Sequence, residues 1–460
     1  MAAREQSWWD SFRIRFKARN YGRVVSNRLI SELVAILSLI RYTLPVEPRS
    51  KRLAALLTAC KRTYRPGLQR YLKKELAPLL EAPACQVWTE HSIGLARYDS
   101  SFGDINKKGL TTSLLLKAPG PNGEKGVLYS SFEYNWLRLI KHHDAKAFFD
   151  RYYLVGASSG LTPDYVAFAH LAGSSKDPIF IGISNTRHMQ SFDVAAPVIQ
   201  AVPLMACDWI DPADYVVKPR NERTIDIVMV ANWLRLKRHW LLFEALRTMR
   251  PDLRIVLIGR NGDGRTNEDL RAEARAFGVR QSIEILNEIS VEEVRRHQSD
   301  SRISLLFSNR EGSCVAPVES MFADTPVAMM ADGEVGSKAY INKDTGILVE
   351  RAGLGRTLSE FLERRETYRP REWALANVTC HHSSQKLNAV LREYAQRAGH
   401  AWTTDIAPLC WRYVPRHVNA ADDVRLAPGV EELRSTLGIE LVKWEYKPKA
   451  KPPVLSAAAQ

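Results

Sequence analysis

The chain has 460 residues, 45% of them hydrophobic and 25% charged, a globular composition too long for one ordinary core, so two domains are expected. Its longest apolar run, Leu33 to Ile40, falls far short of the ~20 residues a membrane span needs, and the first residues lack the pattern of a cleaved secretory signal. Six scattered cysteines with no C-x-x-C pair disfavour a zinc site or a disulfide framework and predict the cytoplasm.

The net charge of +14 is uneven: residues 1–75 hold 17 Lys and Arg against 5 Asp and Glu, a net +12. A basic head on a near-neutral body predicts attraction to an acidic surface, anionic lipid or polyanionic glycan. Trp8, Trp9, Phe12, Phe16 and Tyr21 interleave with Arg13, Arg15, Lys17, Arg19 and Arg23. That mixture suits an interfacial segment and predicts a peripheral position on the inner face of the membrane. No nucleic-acid recognition motif accompanies the charge, and nucleic acid is not expected as a partner.

In chain order, residues 1–80 form a basic helical region, with Leu29 to Ile40 apolar enough to pack on something and Leu53 to Leu80 at helical spacing. Residues 81–215 form an amino-terminal domain, with buried strands near Gly126–Ser130, Tyr152–Gly156 and Pro178–Gly182. Asp208 to Tyr215, followed by Lys218 to Glu222, has the composition of an exposed linker. From 222 to 400, apolar runs at Ile225–Val230, Arg254–Ile258, Ile283–Leu286, Ile303–Phe307, Pro326–Met330 and Gly346–Val349 alternate with helical patterns at Trp240–Met249, Asn267–Phe277, Val291–Gln298 and Ala316–Phe322. This alternation predicts an α/β domain with a parallel sheet, whose ligands bind beyond the carboxyl ends of the strands. The tail, 401–460, is expected to return partly to the amino-terminal domain and to be disordered from Lys447.

Two segments carry chemistry. From Ser308, a strand end leads through Glu311-Gly312-Ser313-Cys314-Val315 into a helix near Ala316, with Pro317 in its first turn. Backbone amides at such a turn suit a diphosphate. Glu311 and Glu319 can each accept two hydrogen bonds from a vicinal diol. The plainer reading is a first-turn Glu answering the helix dipole and a solvated loop Glu. The second segment, Ile227 onward, is a strand, a loop with Arg235, Lys237 and Arg238, then a helix. Cations there neutralise a leaving diphosphate, whereas as mere surface charge they would oppose the helix dipole.

Together these segments resemble glycosyltransferase family 4 of the GT-B fold, over roughly residues 225–395. Glu311-Gly312-Ser313-Cys314, Glu319 and Thr325-Pro326-Val327 are similar to the family's Glu-x7-Glu unit and the strand after it. Thr345-Gly-Ile-Leu-Val is similar to its later strand, and Ala231-Asn232 through Lys237 to its phosphate loop. The resemblance implies two Rossmann-like domains facing a cleft, with the helical basic region as an extension. It also implies a retaining enzyme, with Glu311 on donor-sugar hydroxyls, Glu319 on the ribose, and Lys237 and the amides of Gly312 to Val315 on the diphosphate. The donor would be a UDP- or GDP-linked hexose, the acceptor a glycan or lipid-linked sugar in envelope or exopolysaccharide synthesis, and no separate cofactor is implied. Asn232 replaces the family arginine, with Arg235 as the substitute, and Ser313-Cys314 replaces Phe-Gly. Asn287 and Glu288 stand where nucleobase contacts are usual.

The absence of any D-x-D pattern disfavours a divalent ion on the diphosphate, and no metal is expected. His91 and Glu133 are candidates for the acceptor cleft, as is Ser158-Ser159-Gly160; a structural role competes for each. The adjacent pairs His142-His143 and His381-His382 do not face one site. The rival readings are a nucleotide-sugar epimerase of the same fold and a degenerate glycan- or membrane-binding scaffold.

Overall fold

A computed structural model of the chain describes residues 7–25, 27–46, 49–81, 104–157, 174–183, 199–412 and 414–443. The basic region forms four helices: α1 (Trp8–Val25), α2 (Arg28–Thr43), α3 (Arg49–Arg62) and α4 (Pro66–Glu81). The first sheet follows, with β1 (Ser113–Lys117), β2 (Gly126–Ser130), α5 (Glu133–His142), α6 (Ala145–Arg151), β3 (Tyr152–Ala157), β4 (Ile179–Gly182) and β5 (Ile199–Val202). Its strands lie in sequence order, β1 antiparallel to β2 and the others parallel.

The second sheet holds β6 (Ile225–Val230), β7 (Arg254–Gly259), β8 (Ser282–Asn287), β9 (Ser301–Leu306), β10 (Val327–Met330) and β11 (Gly346–Val349). Its helices are α7 (His239–Leu246), α8 (Asn267–Ala276), α9 (Val291–Ser299), α10 (Ala316–Phe322), α11 (Leu354–Glu363) and α12 (Pro370–Asn377). The strand order is β8-β7-β6-β9-β10-β11, all parallel. This is the doubly wound arrangement, and it puts the switch point between β6 and β9. Both sheets are the Rossmann-like units expected, and the chain is α/β with a helical amino-terminal extension. Among the described residues, no helix is long and apolar enough to cross a membrane.

Strand alternation gives each sheet two apolar faces. In the first sheet, Leu128, Leu154 and Ile181 pack with Leu56, Ala59 and Leu72 of α3 and α4. On the other face, Val127, Tyr129, Val155 and Phe180 pack with Leu387, Leu391 and Ala395 of α13 (Cys380–Arg397). The expected carboxy-terminal domain ran to residue 400, but α13 covers the amino-terminal sheet. The tail adds α14 (Ala420–Leu437), whose Leu433 joins the α3 side, and a strand Leu441–Val442 that pairs with Leu110–Thr111.

Helix α1 goes the other way. Its Ala18 is buried in the core of the second sheet, Arg15 donates to the Ala276 carbonyl at 3.1 Å, and Arg19 pairs with Glu244 at 2.5 Å. The basic region therefore contacts both lobes.

The exposed linker expected from Asp208 onward is exposed only in part, at Ala213, Pro219, Asn221 and Glu222. Asp208 to Asp211 and Tyr215 form a buried seam between the lobes, with Asp208 3%, Trp209 3% and Tyr215 5% exposed. The polar letters suggested solvent, but Asp208 accepts from the Met205 amide at 2.7 Å and the Tyr340 hydroxyl at 2.7 Å. The aromatic rings of Trp209 and Tyr215 supply apolar surface that the neighbouring cores absorb.

Candidate active site

The crevice beyond the carboxyl ends of β6, β7 and β9 is a cavity of about 300 Å³. Strand ends contribute Val230, Ala231, Ile258 and Gly259, and loops contribute Asn232, Lys237, Arg260, Glu288 and Glu311. The turn into α10 contributes Cys314, Val315 and Ala316, and α10 itself Glu319. Gly259 is required where two strand ends close up, since a Cβ there would lie 2.2 Å from the Ala231 carbonyl oxygen.

Lys237 ends a short 3-10 turn, Arg235–Lys237, set between β6 and α7. Its side chain is buried and its Nζ donates to Glu311 Oε1 at 2.5 Å. Burial by itself depresses the ammonium's pKa, but the Glu311 carboxylate it donates to outweighs that and holds the pKa above the ordinary lysine value. Burial also pushes the Cys314 thiol up, so it stays protonated at neutral pH and the carboxylate carries that stabilisation. An ammonium has three donors, of which Glu311 takes one.

The loop from Glu311 to Val315 is fixed from both sides. Arg310–Glu311 pairs in parallel with Glu334–Val335, and the Gly312 carbonyl accepts from the Gly336 amide at 2.6 Å. Cys314 sits at φ 51°, the left-handed region that favours glycine. It occupies the position of the second glycine in the Glu-Gly-Phe-Gly pattern, so the backbone turn survives the side-chain change. Glu319 is 1% exposed and reaches the cavity from α10.

The structure thus brings Lys237, Glu311, Cys314, Val315 and Glu319 to one cavity and sends other candidates elsewhere. The Arg235 guanidinium lies over the Tyr21 ring of α1, 5.9 Å from its centroid. The Ser313 hydroxyl accepts from the Cys207 amide at 2.9 Å, tying the loop to the interlobe seam. Arg238 is structural: its guanidinium donates to the Phe307 carbonyl at 2.5 Å and grips Asp332 at 2.8 and 2.9 Å. Glu133 is buried in the first turn of α5, away from this cavity, whereas His91 and Ser158 to Gly160 lie outside the described residues.

Arg260 and Asn232 complete the polar lining. Arg260 was not singled out from sequence, although the signal that exposed Lys237, a cation just after a parallel strand, applies equally to Ile258-Gly259-Arg260. Glu288, at φ 56°, also lines the cavity.

Among the described residues, the group able to hold a metal ion is Asp211, Cys380 and His381, whose donor atoms lie within 4.8 Å of one another. None of the three lines the cavity, Asp211 already pairs with Arg416 at 3.3 Å, and burial pushes the Cys380 thiol up to about 12.

No curated protein matches the chain. Two similar solved structures are sucrose-phosphate synthase from Thermosynechococcus elongatus and HepE from Anabaena in complex with UDP. The first shares 14% identity over 59% of this chain and 74% of that one, with a TM-score of 0.46. The second shares 14% identity over 58% of this chain and 78% of that one, with a TM-score of 0.46. A family model described as glycosyl transferases group 1 matches residues 213–371, a stretch that contains every residue lining the cavity. Over that stretch, the carboxy-terminal lobe resembles the group 1 glycosyl transferases.

Proposed function

We propose that the protein is a retaining glycosyltransferase of family 4 that moves a hexose from a UDP- or GDP-linked donor to a glycan or lipid-linked acceptor. The observation that carries this reading is the buried Lys237–Glu311 pair at the switch point of a doubly wound sheet, within a stretch similar to group 1 glycosyl transferases. Lys237 takes the charge that develops on the leaving diphosphate, with Arg260 as the second cation in place of the absent family arginine. Glu311 accepts from donor-sugar hydroxyls and Glu319 from the ribose diol. The departing phosphate receives the acceptor proton on the face it leaves, which retains configuration. Two side-chain cations then replace a metal ion on the diphosphate.

The basic head suits an enzyme working in the cytoplasm against the inner face of the membrane, in envelope or exopolysaccharide synthesis. The experiment is nucleotide release from UDP-, GDP- and ADP-sugars, with and without membrane extract. Turnover is expected with one of the first two and should rise with extract. Lys237→Ala should lose about a hundredfold or more in kcat. Tight donor binding without turnover would support a scaffold, and release independent of acceptor would support an epimerase.

A further inference from the structure

Helix α2 packs inside out. Its buried residues are Ser31, Glu32 and Ala35. The Ser31 hydroxyl donates to the Arg62 carbonyl at 2.8 Å, and Glu32 accepts from the Thr63 hydroxyl at 3.0 Å and from the Tyr64 amide. Leu39 packs against the first-lobe core, but most of the aliphatic side chains point away from the protein: Leu29 is 76% exposed, Leu33 56%, Leu37 55% and Ile40 50%. Ile36 and Leu44 extend the same stripe. These positions recur at helical spacing on one face, the reverse of a helix whose outer side meets water. A contiguous exposed apolar stripe of this kind marks an interaction surface.

Charge selects the partner. Glu32 is the one acidic residue in α2 and it is turned inward, while Arg28 and Arg41 stand exposed at its ends. Helix α1 adds exposed Trp8, Trp9 and Phe12, with the Trp8 and Phe12 rings stacked at 5.7 Å. A second copy of the chain would bring one +12 head against another, which charge opposes and anionic lipid favours. The 16 residues of α2 extend about 24 Å, short of the ~30 Å hydrocarbon core, so the helix can lie along a bilayer but not cross it.

We propose that α2 is the lipid-docking element, seated lengthwise in the interface of an anionic bilayer with its Leu and Ile stripe in the acyl boundary and Arg28 and Arg41 at the phosphates. This gives an element to the membrane contact in the functional reading and rests on that reading only for its purpose. The test is co-sedimentation of the full chain with phosphatidylcholine vesicles, with and without phosphatidylglycerol, in the absence of donor. Binding is expected to the phosphatidylglycerol vesicles. Leu33→Asp/Leu37→Asp should weaken it at least about tenfold, and Leu37→Trp should keep it. Should the aspartate pair disturb the fold by circular dichroism, Leu29→Ser/Ile40→Ser replaces it, with the same loss expected.

Nucleotide release from soluble donor should be the same in all these variants, so a failed donor site and a failed lipid site give different results. Three results overturn the proposal. One is no binding of the wild type to phosphatidylglycerol vesicles. Another is equal binding by a folded aspartate or serine pair. The third is a dimer that the substitutions dissolve while vesicle binding stays unchanged.

Discussion

Three cations stand in the loop after β6, and packing gives each a different task. Lys237 points into the cavity against Glu311, Arg238 pins the loop to Asp332, and Arg235 lies over Tyr21. A charge count treats them alike; burial and partners separate them. Arg260 enters from the next strand, and Arg260→Ala should lower kcat/KM for the donor about tenfold, the cost of one charge-assisted hydrogen bond, with kcat falling as well. Steady-state kinetics with the donor found in the release assay checks it. His239, buried beneath this loop, has its pKa lowered to about 3, first by burial and then by Arg265 and Lys237. In the unfolded chain the ring takes a proton near pH 6.5 and in the native protein it does not, so stability is present above pH 6.5 and drains away as pH falls towards 3. The slope is about 1.4 kcal/mol per pH unit, and His239→Phe should remove that much of it in urea unfolding between pH 6 and about 4.

At the scale of elements, the carboxy-terminal lobe was legible from sequence because its strands are buried on both faces and read as apolar runs. Ala316–Phe322 and Ile225–Val230 match their expected bounds, as do the glutamates on either side of the turn. The directions of side chains were not legible. Nothing in Ser313 or Arg235 announces that one meets Cys207 and the other Tyr21, since both partners are over a hundred residues away. The buried seam at Asp208 was missed for the same reason: one donor to its carboxylate is the distant Tyr340, and polar letters alone imply solvent. Helix α14 was missed too, its pattern broken by Pro428 and by Gly429, which lets the helix approach Ala118. Close approach of backbones is also the requirement at Gly259. Gly259→Ala should cost about 1–3 kcal/mol, and a folded variant should bind donor more weakly because β6 and β7 must part at the cavity rim. Denaturant unfolding and a donor titration on the same sample read both effects.

For the whole molecule, the path of the chain matters more than the two sheets taken singly. The backbone leaves the first lobe near Ile210 and comes back at Cys380, whose amide donates to the Ile210 carbonyl at 2.9 Å. Departure and return therefore adjoin, and the second lobe is an insertion in a first lobe that is itself discontinuous. A segment whose ends meet can be excised or permuted without unravelling its interior. Residues 211–379 should accordingly fold when expressed alone, without the α1 contacts and without the seam contacts of Met205, Cys207, Asp208 and Ile210. Residues 1–215, the unit that linear order suggests, should aggregate, because Val127, Tyr129 and Phe180 would lose Leu387, Leu391 and Ala395. Circular dichroism and light scattering on the two fragments decide this. Synthesis inherits the same constraint: one face of the first sheet stays uncovered until nearly four hundred residues have been made, so the second lobe must fold while the first still waits for its lid.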